Sequence, residues 1–257
     1  MKHALVRPPG ASFVRAINSQ RLPIDVQLAQ AQHREYCEAL ATAGLAVEAL
    51  PPDERYPDGC FVQDPAMVIE GLAIICRLGA SSRRGEESAI AGALVGRFPL
   101  AHIAAPGTLE GGDVLRLPGK VLVGRSERTN DAGIAQLSTL LAPAGLAVDA
   151  VPVREWLHLL SAATYLGHDT LLAVEGFDEH PAFGGLDVLV VPREEAGAGN
   201  ALGLGECVVL PAGYRRVAAM LRVHGFTVLQ VPISEFAKAD GGVTCLSLVW
   251  GSREVDK

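Results

Sequence analysis

A cysteine and a histidine in this chain stand where they could carry out chemistry. Cys245 follows an aspartate and two glycines in DGGVTC, and His158 lies in the apolar run WLHLL. A thiolate is a strong nucleophile, an imidazole transfers protons near neutral pH, and a carboxylate binds a guanidinium through paired charge-assisted hydrogen bonds. The polar side chains that could complete such a site are Asp58, Asp64, Glu110, Asp113, Asn200 and Asp240. Together these groups are suited to attack on a cationic carbon atom.

Each of these residues, taken alone, also has a structural explanation. A free cysteine such as Cys245 behaves as a small hydrophobic residue and is often buried for packing. His158 could be a hydrogen-bonded core histidine, and EGGD at residues 110–113 could form an ordinary turn. A functional role therefore requires a fold that brings these residues together.

A repeated pattern along the chain predicts such a fold. A short apolar stretch that ends in proline occurs five times, roughly 40 to 55 residues apart, which is a repeat length typical of blades and solenoids. The copies are VEALP, IAAP, VDAVP, VLVVP and VLQVP. Each is followed by paired β-type runs around a glycine-containing turn, as in DVLRLPGKVLVG. The last run, VTCLSLVWG, takes its partner from the N-terminal MKHALVRPP, so the ring closes with the two ends side by side.

Helix-like segments, with apolar residues at three- and four-residue spacing, lie between these runs. The fourth unit lacks one and has only GFDEHPAFGG. We therefore predict an α/β fold of five β-β-α-β units around a pseudo-fivefold axis, as a single domain over residues 1–257. Equivalent loops converge on the axis of such a ring, so the thiol, the imidazole and the carboxylates become neighbours. Their excess of negative charge favours a cationic ligand.

Composition argues against several other functions. The 257 residues carry a net charge of -7, which provides no electrostatic footprint for nucleic acid or an anionic membrane surface. No run of about 18 apolar residues predicts a membrane-spanning helix. Five scattered cysteines without a CxxC pair indicate free thiols in a reducing cytoplasm, and no HExxH or clustered Cys/His spacing favours a metal site.

Six motifs occur in order along the chain: PPDERYPDGCFVQDP, RLGASSRRGE, APGTLEGGDVL, GRSERTN, LHLL and DGGVTC. Together they resemble the dimethylarginine dimethylaminohydrolases, members of the guanidine-modifying (pentein) superfamily, from about residue 1 to residue 250. The resemblance implies a five-bladed α/β propeller, in agreement with the repeat. It also implies hydrolysis of N-methylated arginine, either asymmetric dimethylarginine or monomethylarginine, to citrulline and dimethylamine or methylamine, with no cofactor.

The resemblance further implies a role for each matching residue. By DGGVTC, Cys245 is the nucleophile that forms an S-alkylthiouronium, and by LHL, His158 is the general acid and base. By TLEGGD, Glu110 holds the guanidinium and supports the histidine. The other expected substrate contacts are Asp64 and Asp58 for the guanidinium, Arg83 and Arg128 for the carboxylate of the amino-acid end, and Phe61 and Asp240. Residues 9–23, PGASFVRAINSQRLP, match a lid over the pocket.

Two positions depart from the family pattern and leave the exact guanidine substrate open. Leu160 stands where a lysine is expected, and Gln63 stands where a bacterial relative has an acid. One alternative is therefore hydrolysis or deimination of another substituted guanidine. A second alternative is a protein that binds a cationic amino acid without turnover. We expect a small-molecule guanidine as the partner, with no nucleic acid or membrane, and the sequence leaves a homodimer open.

Overall fold

The computed structural model describes residues 2–251, and its strands form five separate three-stranded sheets. The strands are β1 (Lys2–Val6), β2 (Ala46–Ala49), β3 (Ala66–Ile69), β4 (Leu72–Ile75), β5 (Leu100–His102), β6 (Val114–Leu117), β7 (Lys120–Arg125), β8 (Ala147–Pro152), β9 (Ala163–Gly167), β10 (Thr170–Val174), β11 (Asp187–Val191), β12 (Leu202–Gly203), β13 (Cys207–Pro211), β14 (Thr227–Val231) and β15 (Ser247–Gly251). The helices are α1 (Val26–Thr42), α2 (Glu87–Leu94), α3 (Asp131–Leu141), α4 (Leu159–Ala162), α5 (Arg215–Val223) and α6 (Ser234–Lys238).

All five sheets have the same topology. In each, the central strand pairs antiparallel with one neighbour and parallel with the other, as in β3–β4–β5 and β6–β7–β8. Tight turns join the antiparallel pairs in four of the sheets, and the fifth pair is made by the first and last strands. Between β3 and β4, Glu70 and Gly71 both have positive φ, which is the backbone twist that a two-residue hairpin requires. The glycine-containing turns therefore produce the hairpins that the sequence predicts.

Helices make the crossover from the central strand to the parallel strand in four of the five sheets. These helices are α1, α2, α3 and α5. The fourth sheet has only a 3-10 turn at Pro181–Phe183 in this place. Side chains set where the helices begin, since Asp25 accepts hydrogen bonds from the backbone of Gln27 and Leu28, and Asn130 caps α3. The predicted β-β-α-β units, including the fourth without a helix, are confirmed.

The first and last strands close the ring. β1 pairs antiparallel with β15, from Lys2 opposite Gly251 to Val6 opposite Ser247, and parallel with β2. This is the pairing expected between MKHALVRPP and VTCLSLVWG. The predicted α/β class and five-bladed repeat are therefore confirmed. No helix within residues 2–251 is both long and apolar enough to cross a membrane.

The apolar core is divided among the blades rather than gathered at one centre. Five clusters of buried side chains occupy the spaces between sheets and helices. In the first cluster, the α1 residue Tyr36 is fully buried and satisfies its hydroxyl with the carbonyl of Val243 (2.9 Å) and the hydroxyl of Ser247 (2.7 Å). These two residues flank Cys245 in the chain. Helix α1 therefore supports the segment that carries the cysteine.

Candidate active site

Loops from several blades meet at one small pocket. The residues that line it are Ile17, Asp58, Phe61, Asp64, Arg83, Arg128, Leu157, His158, Ala239, Asp240, Gly241 and Cys245. All the residues to which the motifs give a role are among them except Glu110, which pairs with His158. Two further candidates, Asp113 and Asn200, do not line the pocket. The structure thus brings together the side chains that the repeat and the motifs select.

Cys245 lies in a 3-10 turn, Thr244–Leu246, immediately before β15. Its side chain is buried, and the backbone N–H of Gly242 donates a hydrogen bond to Sγ at 3.4 Å. Burial raises the pKa of the thiol to about 12, with a further contribution from the negative charge of Asp64. The hydrogen bond from Gly242 opposes this shift without cancelling it. The thiol is therefore protonated at neutral pH when the pocket is empty.

The two glycines before Cys245 are required by packing. A Cβ atom on Gly241 would lie 2.3 Å from the ring of Phe61, and one on Gly242 would lie 2.2 Å from Oδ1 of Asn200. Both distances are far below van der Waals contact. The turn that carries the thiol is thus pressed directly against two other loops, and only glycine permits so close an approach.

His158 and Glu110 form a buried pair. Nε2 of His158 lies 2.8 Å from one carboxylate oxygen of Glu110, and the other oxygen accepts from the backbone N–H of Gly79 at 3.0 Å. Burial would raise the pKa of Glu110, but His158, Arg83 and Arg128 outweigh it and lower the pKa to about 2. Burial would likewise lower the pKa of His158, but the carboxylates, Asp64 foremost, outweigh it and raise the pKa. The imidazole is therefore biased toward its cationic form.

The EGGD stretch at residues 110–113 fixes the imidazole in place. Asp113 accepts a hydrogen bond from the backbone N–H of Leu159 at 3.0 Å and another from the Ser126 hydroxyl at 2.6 Å. A Cβ atom on Gly112 would lie 2.7 Å from Nδ1 of His158. In addition to forming a 3-10 turn, the stretch contacts His158 twice. The carboxylate of Glu110 pairs with Nε2 of His158, and Gly112 packs against the imidazole ring.

Arg83 is buried beside the pocket between two carboxylates. Its Nη1 pairs with Asp64 at 2.7 Å, and its Nε and Nη2 contact both oxygens of Glu86 at 2.9 to 3.2 Å. Its guanidinium lies 5.9 Å from the centre of the Phe61 ring. Burial alone would lower the pKa of Arg83, but the two carboxylates raise it. Burial also raises the pKa of Glu86 to about 7.

The second predicted arginine, Arg128, follows β7 and contacts Glu110 at 3.5 Å. Its backbone N–H donates to the Ser126 hydroxyl at 3.0 Å. Ser126 thus holds both the Arg128 loop and Asp113. Both arginines therefore reach the pocket from neighbouring blades.

Carboxylates bind the 9–23 segment to the pocket. Asp58 accepts from the backbone N–H of Ile17 at 3.0 Å, and Asp240 accepts from the backbone and hydroxyl of Ser19 at 2.9 and 2.6 Å. Ile17 contributes to the pocket wall. Because both oxygens of Asp240 are used by Ser19, this carboxylate holds the segment in the structure described.

Three side chains of the site lie close enough together to be considered as metal ligands. In the part of the chain that the structure describes, Asp64, Glu110 and His158 place possible ligand atoms within 4.8 Å of one another. Those atoms already have protein partners, since His158 bonds to Glu110 and Asp64 pairs with Arg83. The positive charge of Arg83 also disfavours a cation at this place. The donor set fits a proton-transfer site better than a metal centre.

The chain resembles characterised proteins over nearly its whole length, although no protein-family model matches it. The dimethylarginine dimethylaminohydrolase of Pseudomonas aeruginosa is 39% identical over 250 residues, which is 96% of this chain and 98% of that protein. This chain belongs to the dimethylarginine dimethylaminohydrolase family. A family member from Streptomyces coelicolor is 38% identical over 251 residues, covering 96% of each chain.

Solved structures agree with this family membership. A cysteine-to-serine mutant of the Pseudomonas aeruginosa dimethylarginine dimethylaminohydrolase, in complex with citrulline, matches this structure with a TM-score of 0.94 at 38% identity. The match covers 96% of this chain and 98% of that one. The family and fold expected from the six motifs are confirmed.

The two departures from the family pattern are not among the residues that line the pocket, although the backbone N–H of Gln63 donates to the carbonyl of Cys245 at 3.3 Å. Leu160 packs in an apolar cluster with Leu159 and Leu171, and neither Leu160 nor Gln63 lines the pocket. Glu86, which pairs with the pocket residue Arg83, was not predicted from the sequence. Its signal was the arginine and glutamate three residues apart in SRRGE, which could as well have been a surface ion pair.

Proposed function

We propose that this chain hydrolyses asymmetric dimethylarginine or monomethylarginine to citrulline and dimethylamine or methylamine, as one catalytic domain over residues 1–257. The observation that carries the proposal is a thiol, a carboxylate-paired imidazole and acidic side chains around one pocket, in a family whose named members are dimethylarginine dimethylaminohydrolases. All five cysteines are unpaired in the described structure, which supports a cytoplasmic enzyme.

The charges of the pocket suit an amino acid with a guanidinium tail. Asp64 and Asp58 bind the guanidinium, with Phe61 beside it. Arg83 uses four of its five N–H donors on protein acceptors, which leaves one Nη1 hydrogen for the substrate. That hydrogen and the guanidinium of Arg128 bind the substrate carboxylate.

The reaction proceeds through a covalent intermediate. As the substrate binds, the Cys245 thiol releases its proton to bulk water, and the resulting thiolate attacks the guanidinium carbon. His158 donates a proton to the departing amine as the bond between that amine and carbon breaks. The product of this step is an S-alkylthiouronium on the enzyme. Neutral His158 then takes one proton from water as the water attacks the same carbon. The C–S bond breaks, the second proton of the water passes to the departing sulfur, and citrulline is released. Glu110 stabilises the cationic form of His158 in both steps.

Substrate binding supplies the charge that the buried thiol needs to ionise. Burial and Asp64 hold the pKa of Cys245 high in the empty pocket. A guanidinium placed beside Sγ stabilises the thiolate, and it also pairs with Asp64 and so removes one cause of the upward shift. Ionisation is therefore coupled to the presence of a cationic substrate.

Product analysis by mass spectrometry tests this proposal. The wild-type protein, Cys245→Ser and the control Cys207→Ser are each incubated with asymmetric dimethylarginine, monomethylarginine and arginine. We expect citrulline and the methylated amine from the wild type and Cys207→Ser, and none from Cys245→Ser. Ammonia from arginine alone would indicate deimination instead. Binding of the three compounds without any product from folded protein would favour a non-catalytic binder.

A further inference from the structure

One buried amide connects the loop that carries Cys245 with the loop that carries His158. Asn200 lies between the 3-10 turn Arg193–Gly199 and β12, and it is buried. Its Nδ2 donates to the carbonyl of Leu160 at 3.0 Å and to the hydroxyl of Thr244 at 2.8 Å, while its Oδ1 accepts from the backbone N–H of Thr244 at 3.0 Å. Thr244 immediately precedes Cys245, and Leu160 follows His158 by two residues.

The orientation of this amide is set by its partners. The carbonyl of Leu160 can only accept a hydrogen bond, and the backbone N–H of Thr244 can only donate one. Reversing the amide would lose both bonds at once. An asparagine is therefore the side chain that suits both loops, because it presents a donor to one backbone and an acceptor to the other.

The surroundings of Asn200 leave it little freedom to move. Gly242 packs so tightly against Oδ1 that a Cβ atom there would lie 2.2 Å away. On the other side, the Thr164 hydroxyl in β9 donates to the carbonyl of Gly199 at 3.0 Å and accepts from the N–H of Ala201 at 3.4 Å. The backbone on both sides of Asn200 is thus anchored to the fourth blade. Movement of one catalytic loop relative to the other would break its hydrogen bonds.

We propose that Asn200 is a positioning residue that sets the separation between the Cys245 thiol and the His158 imidazole. The inference rests on the proposed function, since it assigns the thiol and the imidazole to one reaction. Asn200 does not line the pocket, so it acts through the two loops and not on the substrate. Proton transfer and attack depend steeply on geometry, and a displacement of about 1 Å can cost on the order of 100-fold in rate.

The test compares Asn200→Asp with Thr170→Val. The aspartate keeps the shape and the acceptor for Thr244, but it loses both donated hydrogen bonds and places an oxygen against the carbonyl of Leu160. Thr170→Val removes a buried hydroxyl whose hydrogen bond, to the carbonyl of His168 at 3.1 Å, lies within the turn between β9 and β10 and reaches neither catalytic loop. We expect Asn200→Asp to lower kcat about 10- to 100-fold with KM changed less than about threefold, and Thr170→Val to change kcat less than about twofold.

Two measurements distinguish a change in the geometry of the site from a loss of folded protein. First, kcat is expressed per Cys245 that a cationic alkylating reagent, 2-chloroacetamidine, can modify, so misfolded protein is not counted. If Asn200→Asp folds poorly, Asn200→Ser replaces it. Second, the rate of that alkylation is measured, and we expect it to fall about tenfold or more in the Asn200 variant only. Equal kcat and equal alkylation in the Asn200 and Thr170 variants would overturn the proposal.

The same experiment separates this inference from the proposed function. A wild-type protein that turns over none of the methylated arginines contradicts the proposed function. The alkylation rate still tests Asn200 in that case, because it reports the thiol and its surroundings without turnover. Slower alkylation in the Asn200 variant would then support the positioning role, and an unchanged rate would refute it.

Discussion

Burial and neighbouring charges decide how the two reactive side chains are protonated. The thiol of Cys245 has its pKa raised to about 12, and the pKa of His158 is also raised. At neutral pH the thiol is therefore neutral, and the imidazole is biased toward its cationic form. This state differs from a resting thiolate, which a lowered thiol pKa would produce. A cationic imidazole can donate a proton, and a cation beside Sγ of Cys245 would lower the pKa of the thiol.

The raised thiol pKa predicts how Cys245 reacts with two alkylating reagents. Below its pKa, a thiol gains thiolate about tenfold per pH unit. Iodoacetamide, which is neutral, should therefore modify Cys245 slowly at pH 7, and its rate should climb through pH 9 without a plateau. Cationic 2-chloroacetamidine should react much faster at pH 7, because it supplies the charge that stabilises the thiolate. Peptide mass spectrometry at each pH measures both rates.

A plateau of the iodoacetamide rate below pH 8 would contradict this prediction, since it would indicate a thiol ionised in the empty pocket. Cys207, a half-buried cysteine outside the pocket, is the control within the same samples. It should show no preference for the cationic reagent, because it is not a lining residue of the acidic pocket.

Short turns hold the candidate site, and the longer helices and strands act as their frame. Cys245 lies in the turn at Thr244–Leu246, Arg83 ends the turn at Ser81–Arg83, and Glu110 precedes the turn at Gly111–Asp113. His158 precedes the four-residue helix α4. Such turns have few hydrogen bonds of their own, so contacts between turns determine their shape.

Glycine-to-alanine substitutions should show how tightly these turns pack. Gly242→Ala should destabilise the fold by about 1–3 kcal/mol through overpacking and lower activity, because its Cβ atom would meet Asn200 at 2.2 Å. Gly92→Ala should raise stability by up to about 1 kcal/mol, because Gly92 lies in α2 with open space around it. Chemical denaturation and turnover assays on both variants measure the effects. Equal stability of the two variants would be inconsistent with the packing described for the Cys245 turn.

The whole molecule is a ring whose stability depends on blades that share buried contacts. Leu5, in the central strand β1 of the closing blade, is fully buried. It packs in a cluster that includes Leu248 of β15 together with Ala73 and Ile75 of β4 in the next blade. Because that cluster spans two blades, a cavity at Leu5 removes packing contacts from both the blade that contains β1 and the next blade.

Leu5→Ala should therefore lower the free energy of unfolding by about 2–5 kcal/mol, since it removes buried methyl groups and leaves a cavity between two blades. Val223→Ala is the control, because Val223 is 85% exposed at the end of α5 and its loss should change stability by less than about 0.5 kcal/mol. Urea denaturation followed by circular dichroism compares the two. A loss below about 1 kcal/mol for Leu5→Ala would show that the closing blade is not integral to the fold.

The sequence was sufficient to predict the five-bladed plan. The five apolar stretches before Pro51, Pro106, Pro152, Pro192 and Pro232 predict the repeat. The sequence also predicted that the fourth unit lacks a helix, because GFDEHPAFGG has no apolar residues at helical spacing. Such predictions are possible because the spacing of apolar residues indicates which face of an element is buried. The motifs identified the family, and most residues chosen for the site do line one pocket.

The relations between distant residues came only from the three-dimensional arrangement. The pairing of Arg83 with Asp64, and the hydrogen bonds from Ser19 to Asp240, join positions whose separation in the chain says nothing about their separation in space. The protonation of Cys245 is of the same kind. Its pKa depends on how much water is excluded and on which charges lie within a few ångströms, and those quantities exist only once the blades have closed around the pocket.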